Sequence, residues 1–420
     1  MKNICAVILA AGEGTRMKSG LSKVLHRISG KPMISYVLDA LRQAGIRRIL
    51  IVAGSNHREL RALHGHEAEI IFQKKRLGTG HAVLTCGPRL ERFKGSALVL
   101  TGDAPLLTAG TIRSFLKQYG SERPSAAILT ARFENPYGYG RILRDASGDV
   151  TGIREELEAN EEERAIQEVN SGIYLFETSG LFRALREIKP SPNKKEYYLT
   201  DAVEIMVRAG AKVRGYLLAG GREIMGINTR KDLAEAAKLI WERNLDFYME
   251  RGVTVMSPDN TYIEAGVKIG PDTVIFPFTY IEGDVSIGRN CKIGPFCKIR
   301  AGSKIADDAE IGSFVEINRS SIGKKTLVKH LAYLGDACVG SAVNVGAGTI
   351  TANFDGKNKN KTRIGDRAFL GCDTVLIAPV SVGAGAKTGA GSVVLRGRNV
   401  LPGTTVAGIP AKKIKTGKRK

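Results

Sequence analysis

The chain has 420 residues, 43% of them hydrophobic and 25% charged, a make-up that suits two or three water-soluble domains, each with its own core. Six cysteines without a C-x-x-C pair argue against a disulfide or zinc framework and for a reducing, cytoplasmic setting, and no apolar run is long enough to span a membrane. The net charge of +21 calls for anionic partners; the lack of a zinc finger, an RNA-binding signature or an aromatic-basic platform argues against nucleic acid and for small phosphorylated substrates, with at most weak membrane-surface contact.

Residues 1–228 alternate between strand and helix patterns. Strands are predicted at Ile4–Ala10, Arg48–Ala53, Ile70–Gln73, Ala97–Thr101, Ala126–Ala131 and Val169–Phe176, with helices such as Pro32–Ala44 and Thr108–Tyr119 between them. This is the pattern of an α/β domain with a Rossmann-like, mixed but mostly parallel sheet, whose ligands sit at the carboxyl ends of the strands. The first strand runs into Leu9-Ala10-Ala11-Gly12-Glu13-Gly14-Thr15-Arg16-Met17, with Lys23 beyond it. The glycines let backbone N–H groups approach a phosphate, and Arg16 and Lys23 neutralise it. Met17 stands where a dinucleotide fingerprint requires a third glycine, and no P-loop pattern is present. Asp103 follows the Ala97–Thr101 strand at the ligand edge, and a single carboxylate suits magnesium. His64 and His66 are two histidines only, too few for a metal site.

Residues 229–252 carry Leu233, Ala237, Ile240 and Phe247 at helical spacing and predict a single connecting helix. From Ile263 to Ile317 isoleucine then recurs at every sixth position without a miss. A period of six fits neither helix nor strand alone. It fits a parallel β-helix over 253–410, each unit giving one short strand and one bend. The step slips at Ile322, resumes at Val328 and Leu334, and returns from Ile364 to Val394 after a polar loop over 355–362. His330 is the lone histidine of this half, and six of the nine residues from Lys412 to Lys420 are basic, within a tail over 411–420.

Three segments carry a resemblance. Leu9-Ala-Ala-Gly-x-Gly-Thr-Arg-Met with Lys23-Val-Leu-His26 resembles the sugar-1-phosphate nucleotidyltransferases. Gln73, Leu77-Gly-Thr-Gly-His-Ala82 and Gly102-Asp103-x-Pro-Leu106 resemble their uridylyltransferase branch. The hexad stretch resembles the hexapeptide-repeat acyltransferases, which are left-handed β-helices and homotrimers. Apart from the tail, the whole chain is similar to the bifunctional enzymes that join an N-acetylglucosamine-1-phosphate uridylyltransferase to a glucosamine-1-phosphate acetyltransferase. The resemblance implies UTP, acetyl-coenzyme A and an amino-sugar 1-phosphate as substrates, one magnesium ion on Asp103 and Asn228, and UDP-N-acetylglucosamine for envelope polysaccharides as product. In the uridylyl site it implies Arg16 and Lys23 as catalytic groups. Leu9, Ala10, Ala11, Gly12, Gln73, Gly78, Thr79, Thr101 and Gly102 would serve the nucleotide, and Gly140, Glu155 and Asn170 the sugar phosphate.

His330-Leu-x-Tyr333-Leu-Gly-Asp336 with Asn344-x-Gly-Ala347-Gly-Thr-Ile-Thr-x-Asn353-Phe354-Asp-Gly matches the acetyltransferase site of that family. A glucosamine ammonium must lose a proton before it attacks a thioester, and histidine, whose ordinary pKa is about 6.5, is suited to take it. By the same resemblance Glu316 orients His330. Arg300, Asn318, Tyr333, Asn344, Asn353 and Phe354 form the sugar-phosphate pocket, and Ala347, Cys372 and Ala390 meet acetyl-coenzyme A between subunits. The chain departs from the family at four points. Asn318, followed by Arg319, replaces the phosphate-binding lysine, and Gly408 replaces an arginine. The β-helix is about two coils short, and the loop 155–163 is unusually acidic, which reads as a solvated surface loop. The alternative is a uridylyltransferase whose β-helix is a trimerisation scaffold or takes another amino sugar.

Overall fold

In the computed structural model, which describes residues 3–192 and 195–414, strands and helices alternate from Ile4 to Leu217. The chain divides into two compact units, Met1–Ala237 and Lys238–Lys420, the division falling inside the helix Arg230–Met249. No helix among the described residues is long and apolar enough to cross a membrane. Six residues of the basic tail, 415–420, lie outside the described residues.

The first unit is built on nine strands: β1 (Ile4–Ala10), β2 (Arg48–Ala53), β3 (Glu69–Phe72), β4 (Ser96–Thr101), β5 (Ala126–Arg132), β6 (Arg141–Arg144), β7 (Val150–Arg154), β8 (Glu168–Glu177) and β9 (Val213–Leu217). They form one sheet of order β9-β5-β8-β4-β1-β2-β3, with β6 and β7 attached beside β8. β8 runs antiparallel to both β4 and β5, and the other neighbours along the main path are parallel. Side chains alternate across β1. Ala6, Ile8 and Ala10 pack with Ile34, Leu38 and Leu41 on one face, and Cys5 and Val7 with Val83, Leu90 and Phe182 on the other. The chain leaves β1 toward β2 on one side and later returns to β4 on the other, so the order reverses there. A crevice opens at such a switch point, outside the carboxyl ends of the strands.

The six predicted strands are present, with ends within a residue or so. The β6–β7 hairpin and β9 were not predicted. The hairpin's strands are short and interrupted by Asp145, Gly148 and Gly152, and β9 has five residues with Gly215 at its centre, which weakens any period-2 signal.

The second unit stacks its short strands into three sheets, parallel but for the antiparallel pair Thr405–Ala407 and Lys412–Lys413 that ends one of them. The isoleucine ladder becomes three vertical columns. Ile281 pairs with Ile299 and Ile299 with Ile317 in one sheet, Ile275 with Ile293 and Ile311 in the second, and Ile287 with Ile305 and Ile322 in the third. These residues form one continuous core, each buried side chain contributing about 1.5–3 kcal/mol. Glycine after isoleucine marks close coil contact: a Cβ on Gly312 would stand 2.0 Å from the Lys329 carbonyl oxygen. The slip at Ile322 is absorbed as a change of register, since Lys298 pairs with Glu316 but Glu316 with Tyr333, one residue sooner. The polar loop appears as a longer step, Asn344 pairing with Phe369.

Corners of the coil fall at residues with positive φ, again every sixth: Asp272, Phe278, Asp284, Asn290 and Phe296, then Asp308 and Phe314. Asp and Asn tolerate this left-handed backbone; phenylalanine does so poorly. Yet one corner row is Phe278, Phe296 and Phe314, stacked with ring centroids 4.7 and 5.3 Å apart, and it continues to Leu331. All four are about half exposed or more.

Candidate active sites

Where β1 ends, the loop Ala11–Gly14 turns sharply. Gly14 adopts φ 65°, and a Cβ there would meet the Cβ of Lys23 at 2.5 Å, so both the turn and the passage of Lys23 require glycine. Between this loop and the segment from Gln73 to Thr79 lies a cavity of about 590 Å³ at the carboxyl ends of β1 and β4. Leu9, Ala10, Ala11, Gly12, Lys23, Gln73, Gly78, Thr79, Thr101 and Asp103 line it, as do Glu13, Arg76 and Glu196, which the sequence did not single out. Gly102 stands behind the wall, its N–H donating to the Leu9 carbonyl at 2.9 Å. Gln73 is buried and its amide nitrogen contacts the Gly78 carbonyl at 3.2 Å and His81 Nδ1 at 2.9 Å. Burial lowers the pKa of His81, so the neutral ring accepts from that amide. The Gln73 amide oxygen is left as the acceptor for a ligand.

Lys23 reaches across the floor. Its ammonium is bound to Asp103 Oδ2 and lies 3.1 Å from Asn228 Oδ1, to which Arg16 Nη2 also donates at 2.9 Å. Asn228 is held from behind: its N–H donates to Asp232 Oδ2 at 2.9 Å and its side-chain amide to the Gly226 carbonyl at 3.2 Å. The Ile227 N–H donates to the Asp103 carbonyl at 2.9 Å, locking the two segments together. Burial opposes ionisation of Asp232, but the donors of Asn228 and Thr229 outweigh it and hold this carboxyl below its ordinary range. Two oxygens from distant parts of the sequence thus converge on one cationic atom. Among the described residues no group of three or more His, Cys, Asp or Glu side chains is arranged to hold a metal ion. The Asp103–Asn228 pair is a site of a different kind, with one carboxylate and one amide oxygen.

The three residues expected at the sugar phosphate lie near one another but outside this cavity wall. Asn170 N–H donates to the Gly140 carbonyl at 2.8 Å and its amide to Tyr174 Oη at 2.6 Å. Burial first, then the nearby charge of Glu155, pushes the Tyr174 hydroxyl above its ordinary range. Glu155 Oε1 accepts from Thr200 Oγ1 at 3.0 Å.

The acidic loop that follows is not simply solvated. Glu156 pairs at 2.8 Å with Arg141, which is 2% exposed. Glu163 forms a capping box with Asn160 and meets Arg154 at 3.1 Å. The acids are structural because the β6–β7 hairpin brings buried and half-buried arginines to them.

Asp201 lies beside this loop. Its place in the first helical turn favours charge, but burial first, then Glu158, Glu155 and Glu204, raises its pKa to about 6. A carboxyl with a raised folded pKa weakens the fold as pH climbs from its unfolded value through that range. Asp201→Asn is therefore expected to stabilise the protein by about 1 kcal/mol at pH 7.5, after discount for partial exposure. Denaturant titrations should show the gain shrinking to nothing below about pH 4.

In the β-helix, His330 ends the strand Leu327–His330 and is exposed. Among the described residues no side chain hydrogen-bonds its imidazole. The expected partner, Glu316, instead accepts from Arg300 Nη1 at 3.1 Å. The reason lies in the coil: Glu316 and Tyr333 are ladder partners in one sheet, Ser313 and His330 in another, with the Phe314 corner between them. Asn318 is buried, lies 3.5 Å from Tyr333 Oη and accepts from Arg319 Nη1 at 2.9 Å. Arg319 is clamped by Asp336 through two bonds of 2.8 Å, and Asn353 donates to the same carboxylate at 2.5 Å. Phe354 is exposed nearby in sequence, at the root of the polar loop. Asn344 pairs with Leu327 one coil below.

Ala347, Cys372 and Ala390 fall on successive coils in one column, tied by Asp373 N–H to the Ala347 carbonyl at 2.7 Å and Gly391 N–H to the Cys372 carbonyl at 2.8 Å. Gly348 N–H donates to the Leu331 carbonyl at 2.9 Å, which sets Ala347 one rung above His330. The histidine therefore stands at the foot of a row of small residues whose rungs are about 4.8 Å apart.

Comparison with known proteins bears on both units. Residues 6–171 match the family described as MobA-like NTP transferase domain, and residues 266–301 and 284–319 match the bacterial transferase hexapeptide family of six repeats. Over 411 residues the chain is 45% identical to the "Bifunctional protein GlmU" of Pelotomaculum thermopropionicum, covering 90% of each chain. It is 44% identical to the protein of that name from Geobacillus sp. strain WCH70, over 93% of this chain and 92% of the relative. Its identity to that of Acetivibrio thermocellus is 43%, over 94% and 93%.

Proposed function

Because the chain belongs to the GlmU family of bifunctional proteins, we propose that it makes UDP-N-acetylglucosamine in two steps. The first transfers the acetyl group of acetyl-coenzyme A to glucosamine-1-phosphate; the second transfers UMP from UTP to the resulting N-acetylglucosamine-1-phosphate, releasing pyrophosphate. The observation that carries the uridylyl half is the convergence of Asp103 and Asn228 oxygens on the Lys23 ammonium beside a glycine-rich loop. A cation already stands between these oxygens, and so small a donor set fits magnesium, which keeps most of its waters. Asp103 and Asn228 would hold that ion, which when bound supplies charge neutralisation to the phosphates.

The sugar phosphate oxygen attacks the α-phosphorus of UTP as the bond to the β-phosphate oxygen breaks. Lys23 and Arg16 stabilise the charge that moves onto pyrophosphate. Gln73, Gly78 and Thr79 bind the uridine end, and Gly140, Glu155 and Asn170 the sugar phosphate.

In the acetyl half His330 takes a proton from the amine, which attacks the thioester carbonyl and expels the coenzyme A thiolate. The column of Ala347, Cys372 and Ala390 gives the extended thioester arm a path along small residues down to His330. Arg300, Asn318, Tyr333, Asn344, Asn353 and Phe354 form the acceptor pocket. A second reading, the β-helix as scaffold or with another acceptor, is favoured by Asn318 in place of a cation and by Arg319 being committed to Asp336. Thiol release from acetyl-coenzyme A with glucosamine-1-phosphate decides between them, and pyrophosphate release from UTP and N-acetylglucosamine-1-phosphate tests the other half.

The working form is a homotrimer in this reading. An exposed row of stacked phenylalanines in strained backbone supports it, because neither the exposure nor the strain benefits an isolated chain. Sedimentation should give about three times the 45.3 kDa chain mass. Phe296→Asp is expected to yield monomers that lose acetyl transfer and keep pyrophosphate release. A trimeric, fully active Phe296→Asp protein would remove the row from the interface.

A further inference from the structure

The nucleotide cavity carries two ion pairs in its wall, Lys23 with Asp103 and Arg76 with Glu13. The first belongs to the machinery above. The second joins opposite walls, Glu13 standing between the two glycines of the loop after β1 and Arg76 lying three residues past Gln73. Among the described residues Glu13 has no other side-chain partner. A carboxylate inside a loop that presents backbone N–H groups to phosphate is an electrostatic misfit, since two like charges a few ångströms apart repel. The side chains are 42% and 55% exposed for Arg76 and Glu13, and a pair so solvated is held weakly enough to exchange.

We propose that Arg76 is a further binding residue for the triphosphate and that Glu13 is its resting partner, the ion pair exchanging for phosphate when nucleotide enters. The inference rests on the uridylyl-transfer reading. Lys23 and Arg16 are both engaged at Asp103 or Asn228, whereas a nucleoside triphosphate brings about four negative charges. Arg76 supplies a third cation from the opposite wall, and its planar fork fits two phosphate oxygens at once. Glu13 keeps the guanidinium at the mouth while the cavity is empty and sets a threshold that only a multiply charged ligand passes.

Inorganic tripolyphosphate is the probe, because the full chain binds it whether or not it turns over. Calorimetry should give about tenfold weaker binding for Arg76→Gln, partial recovery for Arg76→Lys, and about threefold tighter binding for Glu13→Gln. The KM for UTP should move in the same directions while the KM for the sugar phosphate stays put. Equal weakening by Glu13→Gln and Arg76→Gln, or no change in either, overturns the proposal, the pair then being a brace between two loops. Opposite shifts in tripolyphosphate affinity without pyrophosphate release from UTP would uphold Arg76 as a phosphate ligand and overturn the uridylyl reading alone.

Discussion

Replacing His330 by alanine is expected to lower thiol release from acetyl-coenzyme A about 10²- to 10⁴-fold, the range that a positioned general base supplies. The loss should fall on kcat, with the KM for glucosamine-1-phosphate little changed, because Arg300, Tyr333 and Asn353 lie on other strands and loops of the coil. Pyrophosphate release, which depends on residues of the first unit, should be unaffected. Glu316→Gln provides a sharper test of the geometry. Glu316 is joined to Arg300 and not to His330, so its loss should raise the KM for the sugar phosphate more than it lowers kcat. The reverse split would return Glu316 to a role behind the histidine.

Asp103→Asn is expected to lower uridylyl transfer about 10²- to 10³-fold, the scale seen when stabilisation of a developing anion is lost, because the magnesium ion that Asp103 would hold supplies part of that stabilisation. The substitution keeps the shape of the side chain and removes its charge, leaving the Lys23 ammonium, on a side chain only 15% exposed, without its carboxylate. Chelation of magnesium should reduce the unmutated protein to a similar level, and the magnesium concentration giving half-maximal rate should rise for Asp103→Asn. An Asp103→Asn protein with an unchanged magnesium dependence would exclude Asp103 as the residue that holds the ion.

Much of the scaffold was legible because periodicity is a local signal. Strand β1 and strand β2 match their apolar runs to within a residue, and the isoleucine hexads translate directly into ladder pairs such as Ile299 with Ile317. The glycine-rich loop and Asp103 were legible as motifs placed at strand ends. Long-range pairing was not. Arg76 and Glu13 are far apart in sequence and each is unremarkable alone. The switch of Glu316 from His330 to Arg300 depends on which sheet of the coil each residue occupies, which the one-residue slip at Ile322 obscures. The acids at 156 and 163 read as solvated until the unforeseen β6–β7 hairpin supplied Arg141 and Arg154 as their partners.

The irregular steps of the β-helix show what lengths it tolerates. Where single residues are lost, at the corners Arg319 and Asp336, each coil that spans a loss is one residue shorter, and the loop near Asp355 then lengthens the step. Where residues are added they leave the stack as that loop, and Ala337 still pairs with Thr362 and Ile364 with Val382. Changes in length are thus taken up at the corners. Whole turns can be gained or lost at an end, and single residues lost or extra segments accepted at a corner, while a short insertion within a strand would turn that strand's own inward side chains off their column. Foreign sequence grafted between Gly356 and Lys361 should leave the stack above and below it intact, which makes that corner the natural attachment point for a tag or a tethered domain.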